Sequence, residues 1–186
     1  MTTIESQCLE TFPKWLRTLP QDAGVLGKAV ESEELSEDTK RYAAGGLNYL
    51  FKSLDLIPDG IEDLGYLDDA FVIRVAASLA LSESPATAQQ APELARLAAE
   101  TELITMLLGA DYPRLQAYVR CLKTSTVRGR SVDEILGDPS VRRDFLNEVG
   151  GWAKSYDEPS FTHDEKNIVK LRSFLTAKLP PADAEA

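Results

Sequence analysis

Residues 54–69 read LDLIPDGIEDLGYLDD, and this stretch decides how the chain is organised. Its apolar residues are of the kind that form protein cores, yet six acidic residues stand among them: Asp55, Asp59, Glu62, Asp63, Asp68 and Asp69. Pro58 disfavours helical geometry at Ile57 and removes a backbone donor, and Gly65 marks a second break. We therefore expect a compact turn between two helices, with six carboxylates on it.

Apolar spacing predicts a helix on each side of this turn. Before it, Leu47, Leu50 and Leu54 recur three and seven residues apart, which places them on one helix face. After it, residues 70–81 place apolar residues on all helix faces and carry one charge, Arg74, as is typical of a helix that is buried all round. The sequence therefore predicts a buried helical hairpin at the centre of the molecule.

The rest of the chain also has helical spacing. Capping boxes at Ser131–Glu134 and Thr162–Glu165 predict two helix starts, and the cap-proline pair Asp138–Pro139 predicts a third. We expect Pro13 to bend the N-terminal helix or to mark its start. No alternating run predicts a strand. The fold class is therefore all-α, a compact multi-helix bundle of about eight helices around the central hairpin.

The length of the chain fits one domain of ordinary size. Residues 82–90 are the one plausible linker, and they fit two helical units as well as one shared core. We predict a single domain over residues 1–180, containing the hairpin (40–84) and a C-terminal helical part (92–179), followed by a disordered tail at 181–186.

The charge balance restricts the partners of the chain. It has 30 acidic and 20 basic residues, a net charge of −10, which opposes binding to nucleic acid. Residues 112–132 contain no acid and five basic residues: Arg114, Arg120, Lys123, Arg128 and Arg130. This basic stretch is either a solvated or internally docked surface, or a site for phosphate or an acidic partner.

The cysteines and the apolar segments of the sequence bear on metal binding, disulfide bonds and location in the cell. Cys8 and Cys121 lack the spacing of a disulfide framework or zinc site, and we expect both to be buried. The N-terminus shows no secretory signal, and the apolar run at 70–81 is shorter than the about 20 residues of a spanning helix. A cytoplasmic location and no transmembrane segment are therefore expected.

The hairpin carries a family resemblance. Residues 49–59 (YLFKSLDLIPD), followed by residues 64–69 (LGYLDD), resemble the signature of the YkvA-like family, domain of unknown function 1232. The resemblance covers roughly residues 40–84, and the family has no settled activity. It implies a helical hairpin whose turn carries acids at Asp55, Asp59, Asp68 and Asp69, in bacterial proteins that are often associated with membranes.

The chain departs from the family pattern in two places. Lys52–Leu54 stands where a proline is common, and Gly60, Glu62 and Asp63 replace apolar residues after Pro58–Asp59. The second departure makes the turn more polar than is usual for the family, which argues against carrying the membrane association over to this chain.

A structural role is the first explanation for the acids. Asp59 with Glu62 resembles a capping box, and Asp68 or Asp69 can cap the following helix. Asp55 can close the turn or pair with Arg74 or Lys52.

Two functional explanations stand beside it. Asp55, Asp59, Asp68 and Asp69 could converge on magnesium or calcium, because hard cations prefer carboxylate oxygens. Alternatively, Glu62 and Asp63 could present negative charge to a basic protein partner.

These observations favour a non-enzymatic protein-interaction or structural module, with a protein partner or a second copy of the chain as its contact. The alternatives are a divalent-cation-binding or cation-dependent hydrolytic protein that uses the four aspartates, and a peripheral membrane protein. His163, the only histidine, lies inside an expected capping box, and no established catalytic motif is present.

Overall fold

Ten α-helices make up most of residues 3–181, the part of the chain that this computed structural model describes. In chain order they are α1 (Thr3–Glu31), α2 (Glu37–Tyr49), α3 (Leu67–Glu83), α4 (Thr87–Gln90), α5 (Pro92–Ala99), α6 (Thr101–Leu108), α7 (Tyr112–Leu122), α8 (Val132–Gly137), α9 (Pro139–Ser155) and α10 (Glu165–Lys178). A 3-10 turn, Gly109–Asp111, joins α6 to α7. Eight of these helices have eight residues or more, so the predicted all-α fold with about eight helices is confirmed. Residues 182–186 of the predicted tail lie outside the described part.

The first helix runs through two prolines without a break. α1 contains Pro13 and Pro20 in its interior, so it does not start at Pro13. An interior proline costs about 3 kcal/mol because it removes a hydrogen bond and clashes with the preceding turn. Leu9, Phe12 and Leu16 are almost completely buried on this helix, and each such side chain contributes about 1.5–3 kcal/mol on burial. Packing therefore outweighs the local preference.

The hairpin of α2 and α3 lies at the centre of the molecule, as predicted. Every side chain of α3 from Leu67 to Ala77 is buried, and α3 packs against α1, α2, α5, α6 and α7. A Cβ atom at Gly45 would lie 2.6 Å from the carbonyl oxygen of Leu122 in α7. The absence of a side chain at this position lets α2 approach α7.

The segment predicted as a linker is tied to α2. It contains the end of α3 and all of α4. The hydroxyl groups of Thr39 and Thr87 lie 3.1 Å apart, and those of Ser36 and Ser84 lie 2.7 Å apart. These hydrogen bonds hold residues 82–90 against the start of α2.

A short β-hairpin between α7 and α8 is not predicted by any sequence pattern. β1 (Thr126–Val127) pairs antiparallel with β2 (Arg130–Ser131). The two residues between them, Arg128 and Gly129, have φ values of 50° and 75°, which suits a tight two-residue turn. Strands of two residues are too short to show an alternating pattern, so the expectation of no strand is wrong here.

Two of the three predicted caps are present. Ser131 and Glu134 form the reciprocal capping box of α8, and the Asp138 carboxylate accepts from the first-turn amides of α9. The prediction of a capping box at Thr162–Glu165 is wrong, because the Asp164 side chain caps α10 instead. The Thr162 amide is already used, since it donates to Asp63 at 2.6 Å.

Candidate functional site

The turn between α2 and α3, residues 50–66, brings four acids to one place. We call Asp55, Asp59, Asp68 and Asp69 the acid cluster. Asp68 and Asp69 are buried in the first turn of α3, whereas Asp55 is half-buried and Asp59 is exposed. The four carboxylates act on one another electrostatically, which indicates that they lie close together. The charges of Asp55, Asp59 and Asp68 all act on Asp69.

A close backbone contact shapes the turn. A Cβ atom at Gly65 would lie 2.1 Å from the carbonyl oxygen of Asp59, a distance that no side chain tolerates. On either side of Gly65, Asp63 and Tyr66 have φ values of 67° and 65°. These left-handed residues fold the chain back towards α3.

Asp68 fastens the turn to the hairpin. Its Oδ2 atom accepts from the Tyr49 hydroxyl at 2.5 Å and from the Ile57 amide at 3.0 Å. The Tyr49 hydroxyl in turn accepts from the Leu56 amide at 2.8 Å. One buried carboxylate thus binds α2, the turn and α3 together.

The capping roles expected for the acids are wrong. Tyr66 is the residue that precedes α3, and no side chain caps this helix, neither Asp68 nor Asp69. No helix begins at Asp59, so Asp59 and Glu62 form no capping box. Asp68 accepts instead from the Tyr49 hydroxyl of α2 and from the buried Ile57 amide of the turn, which needs an acceptor because it lies outside any helix.

Burial and mutual repulsion favour the protonated acids. Burial raises the pKa of Asp55 to about 7, helped by the charges of Asp68 and Asp59. Burial also raises the pKa of Asp68 to about 6, although the hydrogen bonds from Tyr49 and Ile57 oppose this. The pKa of Asp69 lies well above its ordinary value, because of burial and then of the other three carboxylates. The Oδ1 atom of Asp68 is buried without a hydrogen-bond partner.

The two cations that were expected to pair with Asp55 make their hydrogen bonds with other residues. Lys52 donates to the Tyr118 hydroxyl at 2.6 Å and forms no ion pair with Asp55 in the described part of the chain. Arg74 is buried and forms ion pairs with Asp22 at 2.9 Å and Glu100 at 2.7 Å. Because five residues of α-helix turn by about 140° beyond one full rotation, Arg74 points away from Asp69.

Four tyrosines surround the acid cluster. Tyr49 and Tyr118 meet edge to face with ring centroids 6.1 Å apart, and Tyr66 and Tyr156 do so at 5.2 Å. Burial and the nearby carboxylates raise the pKa of all four hydroxyl groups. Tyr49 and Tyr66 lie within the two sequence segments that carry the family resemblance, residues 49–59 and 64–69. Tyr118 and Tyr156 come from α7 and from the end of α9, and no sequence signal connects them with the acids.

The two residues predicted as an interaction surface have different environments. Glu62 is exposed. Asp63 accepts the Thr162 amide at 2.6 Å, so its carboxylate holds the segment before α10 against the turn. Of the predicted pair, Glu62 alone presents a carboxylate without such a bond.

The described residues offer no ready-made metal centre. Within residues 3–181, no group of three or more histidine, cysteine, aspartate or glutamate side chains is placed to hold a metal ion. None of the four cavities described for this part of the chain is lined by the acid cluster. The cation site at the four aspartates stays a prediction.

Most of the basic stretch is neutralised internally. Lys123 pairs with Glu83, Arg128 and Arg130 pair with Glu148, and Arg114 pairs with Asp111. This arrangement favours the interpretation of the stretch as an internally docked surface.

Of the two cysteines, Cys8 is buried as predicted. Cys121 is exposed, so its predicted burial is wrong. It lies in α7 next to Leu122, which takes the inward position.

Together, the fold and the site define a class: an all-α protein built around a hairpin whose turn encloses acids. Residues 39–74 match the family model described as protein of unknown function (DUF1232), which confirms the resemblance over α2, the turn and the first part of α3. No curated protein and no solved structure matches the chain. In the described part, no helix combines the length and apolar character needed to cross a membrane.

Proposed function

We propose that the protein is a non-enzymatic helical module that acts through protein contacts, and that its acidic turn receives a basic segment of a partner protein. One observation carries the proposal. Among the described residues, the two exposed acids of the turn, Asp59 and Glu62, take part in no ion pair, although acids elsewhere in the chain do. A partner's lysine or arginine supplies the charge that the turn lacks.

The exposure of the turn supports this kind of contact. Asp59 and Glu62 are exposed, and Leu54 in the same turn is 82% exposed. Lysine and arginine side chains combine an apolar stem with a charged end, so they suit a surface that offers both kinds of contact. Asp157 is also exposed, and its charge acts on Tyr66, which adds negative potential near the turn.

The bonding of Asp68 supports a binding role more than a catalytic one. An active site needs a concavity beside its reacting groups. Here the most buried carboxylate is occupied by the Ile57 amide and the Tyr49 hydroxyl. These two hydrogen bonds give the Asp68 carboxylate a structural role, which is to hold the turn in place.

A labelled lysine-rich peptide tests the proposal by fluorescence anisotropy. We expect binding at low ionic strength that disappears at about 0.5 M salt, because exposed charges are screened there. The double variant Asp59→Asn/Glu62→Gln should weaken binding about threefold to tenfold, since each exposed pair contributes up to about 1 kcal/mol. The control is Glu33→Gln/Glu34→Gln in the exposed α1–α2 connection. Salt-independent binding, or equal weakening by the control, contradicts the proposal.

A divalent-cation-binding function, including cation-dependent hydrolysis, is the second candidate. The buried Oδ1 atom of Asp68, which has no partner, is the observation that favours it. Calorimetric titration with magnesium and with calcium tests it, with the Asp55→Asn/Asp59→Asn variant as the control. Heat that saturates in the parent protein and is lost in this variant supports a cation site. No heat in the parent protein up to about millimolar ion removes the candidate.

A further inference from the structure

A polar cavity of about 300 Å³ lies where α2, α8 and α9 meet, in a part of the molecule that the acid cluster does not reach. Three cations line it: Lys40 and Arg41 from α2, and Arg142 from α9. Two acids, Glu37 and Asp133, line it as well. The cavity therefore has one positive charge in excess, within a chain whose net charge is −10.

Glu37 and Asp133 both form ion pairs with the same cation, Arg41. Arg41 donates through Nε and Nη2 to Glu37, at 3.0 and 2.7 Å. Its Nη1 atom donates to Asp133 at 2.5 Å. These bonds hold the Arg41 guanidinium with two carboxylates, and they leave the other two cations without an acid.

Lys40 and Arg142 are half-buried cations without acidic partners. In the described part of the chain neither forms an ion pair, and the Arg142 guanidinium has one hydrogen bond, to the Leu136 carbonyl at 3.3 Å. A partly desolvated cation loses hydration that only a counter-charge or further hydrogen bonds restore. The two side chains line the same cavity, so one anion can contact both.

The charge and volume of the cavity favour a phosphate group. Arginine and lysine bind phosphate oxygens through charge-assisted hydrogen bonds, and arginine adds a planar, forked donor set. A volume of about 300 Å³ lies at the lower end of the range for small-molecule sites. A Cβ atom built on Gly137 would meet nothing within 4 Å, so this wall of the cavity is open.

We propose that this cavity binds a phosphate-type oxyanion, free or carried by a small phosphorylated molecule, with Lys40 and Arg142 as its direct contacts. Arg41 frames the site and is kept in place by Glu37 and Asp133. The proposal is independent of the acidic turn. It also differs from the phosphate site considered for residues 112–132, where acids of the same chain already neutralise most cations.

Two parallel titrations of the full chain test the proposal by NMR, one with inorganic phosphate and one with glycerol phosphate, at constant ionic strength. We expect saturable shifts of backbone amides near residues 36–42 and 136–143. Lys40→Gln and Arg142→Gln should each weaken binding about fivefold or more, because each removes a charge-assisted hydrogen bond. Tighter binding of glycerol phosphate identifies a phosphorylated small molecule, and equal binding identifies free phosphate.

Arg143→Gln is the matched control. Arg143 is adjacent in sequence, but its side chain is 71% exposed and pairs with Asp144. It should leave phosphate binding unchanged. Shifts that do not saturate with either compound overturn the proposal, and so does equal weakening by Arg142→Gln and Arg143→Gln. Circular dichroism and the melting temperature establish that each variant is folded, and Lys40→Gln provides a second variant if Arg142→Gln is not.

Discussion

At the scale of single residues, Asp68 is the group on which the turn depends. It is the fully buried acid of the cluster, and its carboxylate binds a side chain of α2 and an amide of the turn. A buried carboxylate costs several kcal/mol unless hydrogen bonds compensate for lost hydration. The Tyr49 hydroxyl provides part of this compensation and also accepts the Leu56 amide.

Tyr49→Phe should destabilise the protein by about 2–3 kcal/mol, because it leaves the Asp68 carboxylate and the Leu56 amide each short of a partner. Chemical denaturation measures the change in the free energy of unfolding. Tyr66→Phe is the control, since the Tyr66 hydroxyl has no hydrogen bond in the described structure and should matter by less than about 0.5 kcal/mol. Equal losses in the two variants would show that the hydroxyl bonds of Tyr49 are unimportant.

Gly65→Ala should destabilise the protein by at least about 2 kcal/mol, because the new methyl group would overlap the Asp59 carbonyl oxygen at 2.1 Å and force the backbone to shift. Gly60→Ala, five residues earlier in the same turn, meets nothing within 4 Å and should change stability by less than about 0.5 kcal/mol. Thermal unfolding of both variants provides the measurement. A tolerated Gly65→Ala would mean that the two parts of the turn are not in contact.

At the scale of elements, the sequence predicts the parts of the hairpin that depend on local rules. The apolar faces of α3 and the caps at Ser131 and Asp138 follow from spacing and residue type, and the structure contains each of them. The helix that spacing predicts up to Leu54 ends instead at Tyr49, and Leu54, predicted on its apolar face, is 82% exposed in the turn. The roles of the acids depend on contacts across the turn. The sequence therefore predicts a capping role for Asp68 or Asp69, whereas in the structure Asp68 accepts the Ile57 amide of the turn.

The turn should be more stable in mild acid than at alkaline pH. Folding raises the pKa values of Asp55, Asp68 and Asp69 above the ordinary 3.8, which means that the folded state favours the protonated acids. The resulting stabilisation is therefore complete below pH 3.8. It is lost as the pH rises through about 6 for Asp68 and about 7 for Asp55. Urea unfolding over this pH range should show the free energy of unfolding falling as the pH increases.

Asp69→Asn should reduce this fall, because asparagine cannot ionise in the buried position of Asp69. Asp144→Asn in α9 is the control, since the Asp144 side chain is 67% exposed and should leave the pH dependence as it is in the parent protein. A pH dependence that is unchanged by Asp69→Asn would rule out the acid cluster as its source.

At the scale of the whole molecule, a network of two acids and two arginines joins helices that are far apart in sequence. Asp22 of α1 pairs with Arg74 of α3 and with Arg96 of α5, and Glu100 pairs with the same two arginines. Arg74 also lies 4.1 Å from the centre of the Trp15 ring. In the sequence, Arg74 is the one charged residue of the apolar run 70–81. It cannot indicate which acids meet it, because those acids are 52 and 26 residues away.

Arg74→Ala should destabilise the protein by about 3–5 kcal/mol, because it leaves the buried Asp22 with one cation in place of two. Arg17→Ala should cost at most about 1 kcal/mol, since its pair with Glu158 is exposed. Equilibrium denaturation compares the two variants. A similar small loss in both would mean that the buried network contributes little to stability.

Hydrogen exchange at the amides of Leu56 and Ile57 tests the central claim most directly, which is that the acidic turn is held in place by buried side-chain acceptors. Both amides lie outside the helices, and they donate to Tyr49 and Asp68. We predict protection close to that of the amides in the middle of α3. Exchange at the rate of an unprotected loop would contradict the account, because the acids would then have no fixed arrangement to offer a partner.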